Sequence, residues 1–105
     1  MKLLTKKILK KLPVFYSQEN IKDPLIIVKF FNPTGGGNWF GIEYKPEEKL
    51  FFGYVSIFGN STMDELGYFS LTELENFKGK FGLGIERDRS FKPTRLSEIK
   101  KQYTK

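Results

Sequence analysis

Chemistry in this sequence has to come from acids, lysines and hydroxyls, because its 105 residues include no histidine and no cysteine. Without an imidazole or a thiolate there is no Ser-His-Asp or Cys-His hydrolase, no ordinary zinc site and no disulfide framework. A metal would need oxygen donors throughout, which selects a hard cation such as Mg²⁺. The arrangement with that look is Glu43-Tyr44-Lys45, with Asp23 upstream and Glu86 downstream. In a metal-dependent nuclease, two carboxylates hold Mg²⁺ and a lysine stands near the attacking water. A Glu-x-Lys tripeptide is common by chance, however, and Lys45 opens a turn. No catalytic residue, metal ligand or cofactor is therefore assigned.

Two further motifs invite a reading. Gly35-Gly36-Gly37 lacks the lysine of a Walker loop and the spaced glycines of a dinucleotide fingerprint, and a strand follows it, so a hairpin loop is expected. Glu86-Arg87-Asp88-Arg89 alternates in sign, as a solvated or internally paired strand edge does; its functional reading sends Arg87 and Arg89, with Lys92 and Arg95, to phosphates.

The net charge of +6 is unevenly placed. Residues 1–22 carry six lysines and one glutamate, and residues 86–105 carry seven basic and three acidic residues. The interval 23–85 holds five lysines against eight acids. Basic ends favour nucleic acid or another polyanion, although two solvated helices with lysine-rich outer faces would give the same count. The lysines of the opening segment return at Lys10 and Lys11 and interrupt any signal-peptide core, and the longest apolar run is Leu25 to Val28. A cytoplasmic protein that does not span a membrane is expected.

These groups are positioned by what reads as a single domain over residues 1–105. Thr5 is a good N-cap for a helix ending at Pro13, with Leu4, Ile8, Leu9 and Leu12 on one face. Leu25–Phe31, Trp39–Tyr44 and Lys49–Phe58 read as successive strands, separated by the glycine loop and by Lys45-Pro46-Glu47-Glu48. A polar loop over 59–65 leads to a short strand at Leu66–Phe69. Ser70-Leu71-Thr72-Glu73 is then a capping box for a helix to about Phe77. A short strand near Ile85–Arg87 precedes a last helix opened by Pro93-Thr94, with Leu96, Ile99 and Tyr103 on one face. The expected class is α+β: an antiparallel sheet of four or five strands with short helices packed on one face.

Such a sheet would leave its other face bare. With 11 phenylalanines, five tyrosines and one tryptophan, alternation turns some rings outward. Simple alternation groups Phe40, Ile42 and Tyr44 on one face, and Trp39, Gly41 and Glu43 on the other. Phe52-Gly53-Tyr54-Val55 resembles the middle of the RNP1 strand of RNA-recognition domains, where aromatics stack bases. Leu50 and Phe51 replace its basic residue and glycine, however, and the order of elements differs. Trp39, Tyr54 and Tyr68 are the candidate stacking residues, and Lys6, Lys10, Arg87, Arg89 and Lys92 the candidate phosphate contacts.

Several blocks together resemble the family called domain of unknown function 2958. They are Phe52-Gly53-Tyr54-Val55, Gly67-Tyr68-Phe69-Ser70-Leu71 within Glu65–Glu75, Ile85-Glu86-Arg87-Asp88 after Gly82-Leu83-Gly84, and Phe91-Lys92-Pro93. The opening Leu4–Pro13, Val28-Lys29-Phe30-Phe31 and Trp39 are similar too, so the resemblance spans nearly the whole chain. It implies a protein of bacterial plasmids, phages or integrating elements, some of whose members carry the label of single-strand DNA endonuclease. Relatives usually lack a lysine two positions after Glu43, which weakens the nuclease reading. The leading expectation is a non-catalytic accessory protein of a mobile genetic element that binds single-stranded DNA or a DNA-processing protein. The alternatives are a protein-interaction module inhibiting a host defence system and a Mg²⁺-dependent single-strand nuclease.

Overall fold

Four strands follow one another as an antiparallel meander: β2 (Val28–Phe31), β3 (Asn38–Lys45), β4 (Leu50–Ser56) and β5 (Glu65–Ser70). The computed structural model describes residues 3–57 and 65–102, together with the backbone but not the side chain of Tyr103. Phe58 at the end of the third expected strand, the 59–64 portion of the expected polar loop and the side chain of Tyr103 therefore lie outside the described residues. β6 (Glu86–Arg87) joins beside β2, giving a five-stranded sheet in the order β5-β4-β3-β2-β6. β1 (Leu25–Ile26) pairs separately with β7 (Thr94–Arg95). The strand expected over Leu25–Phe31 is thus broken at Ile27, whose N–H donates to the carbonyl of Gly41 at 2.8 Å.

The helices are short and start where their caps dictate. In α1 (Lys6–Lys11) the Thr5 hydroxyl accepts the N–H of Ile8 at 3.2 Å; in α2 (Leu71–Asn76) the Ser70 hydroxyl accepts that of Glu73 at 3.2 Å. α3 (Leu96–Tyr103) begins two residues later than Pro93-Thr94 suggests, because Thr94 and Arg95 are used by β7. Its first turn is held by Asp23, which accepts the N–H of Ser97 at 2.8 Å and its hydroxyl at 2.6 Å.

The α+β class and the five-stranded antiparallel sheet are as expected, but the helices divide between the two faces. One face buries Val28, Phe30, Tyr44, Phe51 and Phe69 with Leu71 and Leu74 of α2. The other buries Phe40, Ile42 and Tyr54, with Ile26, under Leu96 and Ile99 of α3. Leu96 and Ile99 lie three positions apart, so they fall on one side of α3 and need an apolar surface of their own. The second face supplies it.

A β-bulge between Gly41 and Glu43 corrects the alternation read along β3. Phe40 and Ile42 stay on the α3 face, but the extra residue sends Tyr44 to the opposite one, where its ring lies 4.6 Å from that of Phe51. Glu43 thereby comes to lie opposite Phe52, on the side of Tyr68. Close approach around the bulge is made possible by glycine. A Cβ on Gly53 would sit 1.8 Å from the carbonyl oxygen of Phe40, and one on Gly41 2.8 Å from Val28. The glycine of the RNP1-like stretch is there for packing.

Candidate functional site

The two basic ends of the sequence meet at the β6 edge of the sheet. Ile8 packs against the core and Leu12 is buried, which fixes the rotation of α1. Lys7 and Lys11, four positions apart, then lie along one side of it. On the facing side, the 86–88 segment is pinned to β2: Arg87 pairs with Phe30, and the N–H of Asp88 donates to the carbonyl of Lys29 at 3.0 Å. The guanidinium of Arg87 donates to the carbonyl of Leu3 at 3.2 Å, tying this edge to the segment before α1. Between them runs a cleft of about 460 Å³ whose walls include Lys7, Lys11, Arg87, Arg89 and Phe91.

The acid in that cleft is already engaged. One oxygen of Asp88 accepts the N–H of Ser90 at 2.9 Å, and the other lies 3.8 Å from the ammonium of Lys29. The cleft therefore presents an excess of positive charge on two converging backbones. Such an arrangement can hold successive oxygens of a polyanion without any bond being made or broken.

The expected phosphate contacts are brought together in part. Arg87 and Arg89 line the cleft, and Lys92 is exposed between its neighbours Phe91 and Pro93. Lys6 and Lys10 are exposed but do not line it; Lys7 and Lys11 do. The signal was available in the helical period. Lys6 and Lys10 lie about 200° around the helix from Ile8, whereas Lys7 and Lys11 flank the Ile8–Leu12 stripe.

The expected stacking residues are scattered. Trp39 is half-buried on the α2 face and shares a hollow with Leu74 and Phe77. Tyr54 lies on the opposite face and is only 4% exposed, covered by α3, with the ammonium of Lys100 5.9 Å from its ring centre. Its ring is not offered to a base, because Leu96 and Ile99 need the surface it forms. Tyr68 alone is open, at 56% exposure, on the edge strand β5 far across the sheet from the basic cleft. No aromatic platform joins these three rings.

A second surface surrounds Tyr68. Residues 13–18 form a strap over the β5 side of the sheet. It is fixed by a hydrogen bond from the N–H of Tyr44 to the carbonyl of Pro13 at 3.0 Å and by the buried carboxylate of Glu43. That carboxylate accepts the N–H of Tyr16 at 3.1 Å and of Gln18 at 2.8 Å. The ring of Phe15 lies 5.7 Å, and that of Phe52 5.3 Å, from the ring of Tyr68. Desolvation, then Tyr16, Glu43 and Glu19, push the phenol of Tyr68 above its ordinary value.

The nuclease constellation does not assemble. Glu43 spends both oxygens on the strap, Lys45 pairs with Glu48 in the exposed turn, and Asp23 holds the start of α3. Glu86 pairs with Phe31 at the other edge of the sheet, and no three carboxylates converge among the described residues. The glycine loop is a hairpin between β2 and β3, closed by the N–H of Asn32 donating to the carbonyl of Gly37 at 3.1 Å. Among the described residues no helix is long and apolar enough to cross a membrane.

Comparison with known proteins returns one family: the profile described as protein of unknown function (DUF2958) matches residues 3–102. No curated protein and no solved structure matches the chain.

Proposed function

The chain belongs to the DUF2958 family, whose description names no activity, and we propose from its own surfaces that it is a non-catalytic module binding single-stranded DNA through the α1–β6 cleft. The observation that carries this reading is the convergence of Lys7, Lys11, Arg87 and Arg89 around a cleft in which Asp88, the one acid lining it among the described residues, is already paired with Lys29. Clustered cations on a rigid edge recognise a phosphate backbone by releasing its counterions, with little demand on sequence. A single strand suits a cleft walled by one short helix and one short strand better than a duplex does, and Phe91 supplies a ring within it. Base contacts by Trp39 and Tyr54 are not part of the proposal, because both rings are packed against helices.

The mobile-element setting is what the family resemblance implies. The test is fluorescence anisotropy of a labelled oligothymidine strand titrated with the protein at low and high salt. Binding that weakens steeply with salt is expected. No binding at low salt, or affinity independent of salt, rules the reading out.

A further inference from the structure

At the edge of the sheet opposite the basic cleft, β5 is hydrogen-bonded to β4 on one side, and no strand among the described residues pairs with its other side. Exposed edges are normally blunted by lysine, proline, a bulge or a covering element. β5 reads Glu-Leu-Gly-Tyr-Phe-Ser and carries no lysine, proline or bulge. Instead, Leu66 and Tyr68 are exposed on the side of the strap, at 44% and 56%. Beside them runs a cleft of about 330 Å³ whose far wall includes Tyr16 and Ile21. Backbone groups in a row and alternate apolar pockets next to them are the requirements of strand addition.

The chemistry of the incoming strand follows from the walls. Tyr16, Phe15, Phe52 and Tyr68 form a contiguous set of rings, and aromatic faces attract cations. Glu19 lines the same cleft and Glu65 begins the strand itself, while Glu43 lies beneath. The cations that line it are Lys22 and Lys100, and the ammonium of Lys100 stands over the ring of Tyr54, 5.9 Å from its centre. We infer that the outer edge of β5 and its aromatic cleft take an extended polypeptide segment in which arginine or lysine alternates with apolar residues, added as a further strand of the sheet. The surface is independent of the α1–β6 cleft, where such a segment would be repelled.

The test uses the full chain, ¹⁵N-labelled, titrated with the peptide acetyl-(Val-Arg)₄-amide and separately with its Val-Glu counterpart. The Val-Arg peptide is expected to shift the amide signals of 66–70 and 15–19, and the Val-Glu peptide to leave them in place. Tyr68→Ala, at an exposed position that the core does not need, should weaken binding roughly tenfold, and Arg89→Glu should leave it unchanged. No shifts with the Val-Arg peptide, shifts confined to the β6 edge, equal shifts of 66–70 by the Val-Glu peptide, or unaltered affinity in Tyr68→Ala would each overturn the inference.

Discussion

The carboxylate of Glu43 accepts the backbone N–H of Gln18 at 2.8 Å, across 25 positions of sequence. With its second bond to Tyr16 it makes the strap part of the sheet. Tyr16 is held there with a positive φ of 67°, a conformation that is unfavourable for a large side chain and persists where surrounding contacts over-determine it. The acid that most resembles a catalytic residue in the sequence is thus an anchor for the aromatic cleft.

Replacing that anchor should therefore be felt in stability. Glu43→Gln keeps one acceptor for one of the two N–H groups, loses the charge and turns its NH2 donor towards the other. A cost of about 1.5–3 kcal/mol is expected in urea denaturation, since hydrogen bonds to charged groups fall in that range. Amide exchange should show the N–H groups of Tyr16 and Gln18 losing protection before the strands do. Unchanged stability would mean that the strap is held by its rings alone.

The glycine row across β3, β4 and β5 predicts a sharp contrast between neighbours. A Cβ at Gly53 would meet the Phe40 carbonyl at 1.8 Å, whereas one at Gly67, directly opposite on β5, meets nothing within 4 Å. Gly53→Ala should cost about 3 kcal/mol or more, because strand backbone has to move. Gly67→Ala should be neutral or stabilising by about 0.5 kcal/mol through the unfolded chain. Thermal unfolding of the two variants reads both values.

Acid should loosen the start of α3. The hydroxyl and then the N–H of Ser97 hold the Asp23 carboxyl below its ordinary value of 3.8. A carboxyl lowered in the folded state contributes stability that is complete above its unfolded value and is lost as pH falls through its folded one. The wild-type protein should accordingly lose stability as pH drops below about 3.8, and Asp23→Asn should lose less over the same interval while starting lower at pH 7. Urea midpoints at pH 7 and pH 3 give the comparison.

Within the basic cleft, the lysines that the helical period singles out should matter more than their neighbours. Lys7→Gln and Lys11→Gln should each weaken binding of single-stranded DNA and lower the salt slope by roughly 0.7. Lys6→Gln and Lys10→Gln should do less, since those side chains lie outside the cleft. Anisotropy at three salt concentrations separates the pairs.

Much of this protein is legible in the order of its residues. The absence of histidine and cysteine, the Thr5 and Ser70 caps, the meander from Val28 to Ser70 and the basic ends are local or compositional facts, and sequence carries such facts directly. What it does not carry is register. A single extra residue at the bulge beside Ile42 moved Tyr44 to one face and Glu43 to the other, and no propensity along β3 marks that step. The helical period marks Lys7 and Lys11 as a pair, but that they face Arg87 and Arg89 across a cleft depends on where α1 docks against β6. Whether Tyr54 is a platform or a floor depends on α3, which arrives 42 positions after it, at Leu96. Sequence by itself settled which groups are available. Only the tertiary structure decided which of them are occupied, because occupation depends on partners that are distant in the chain and meet only when the sheet is covered on both sides.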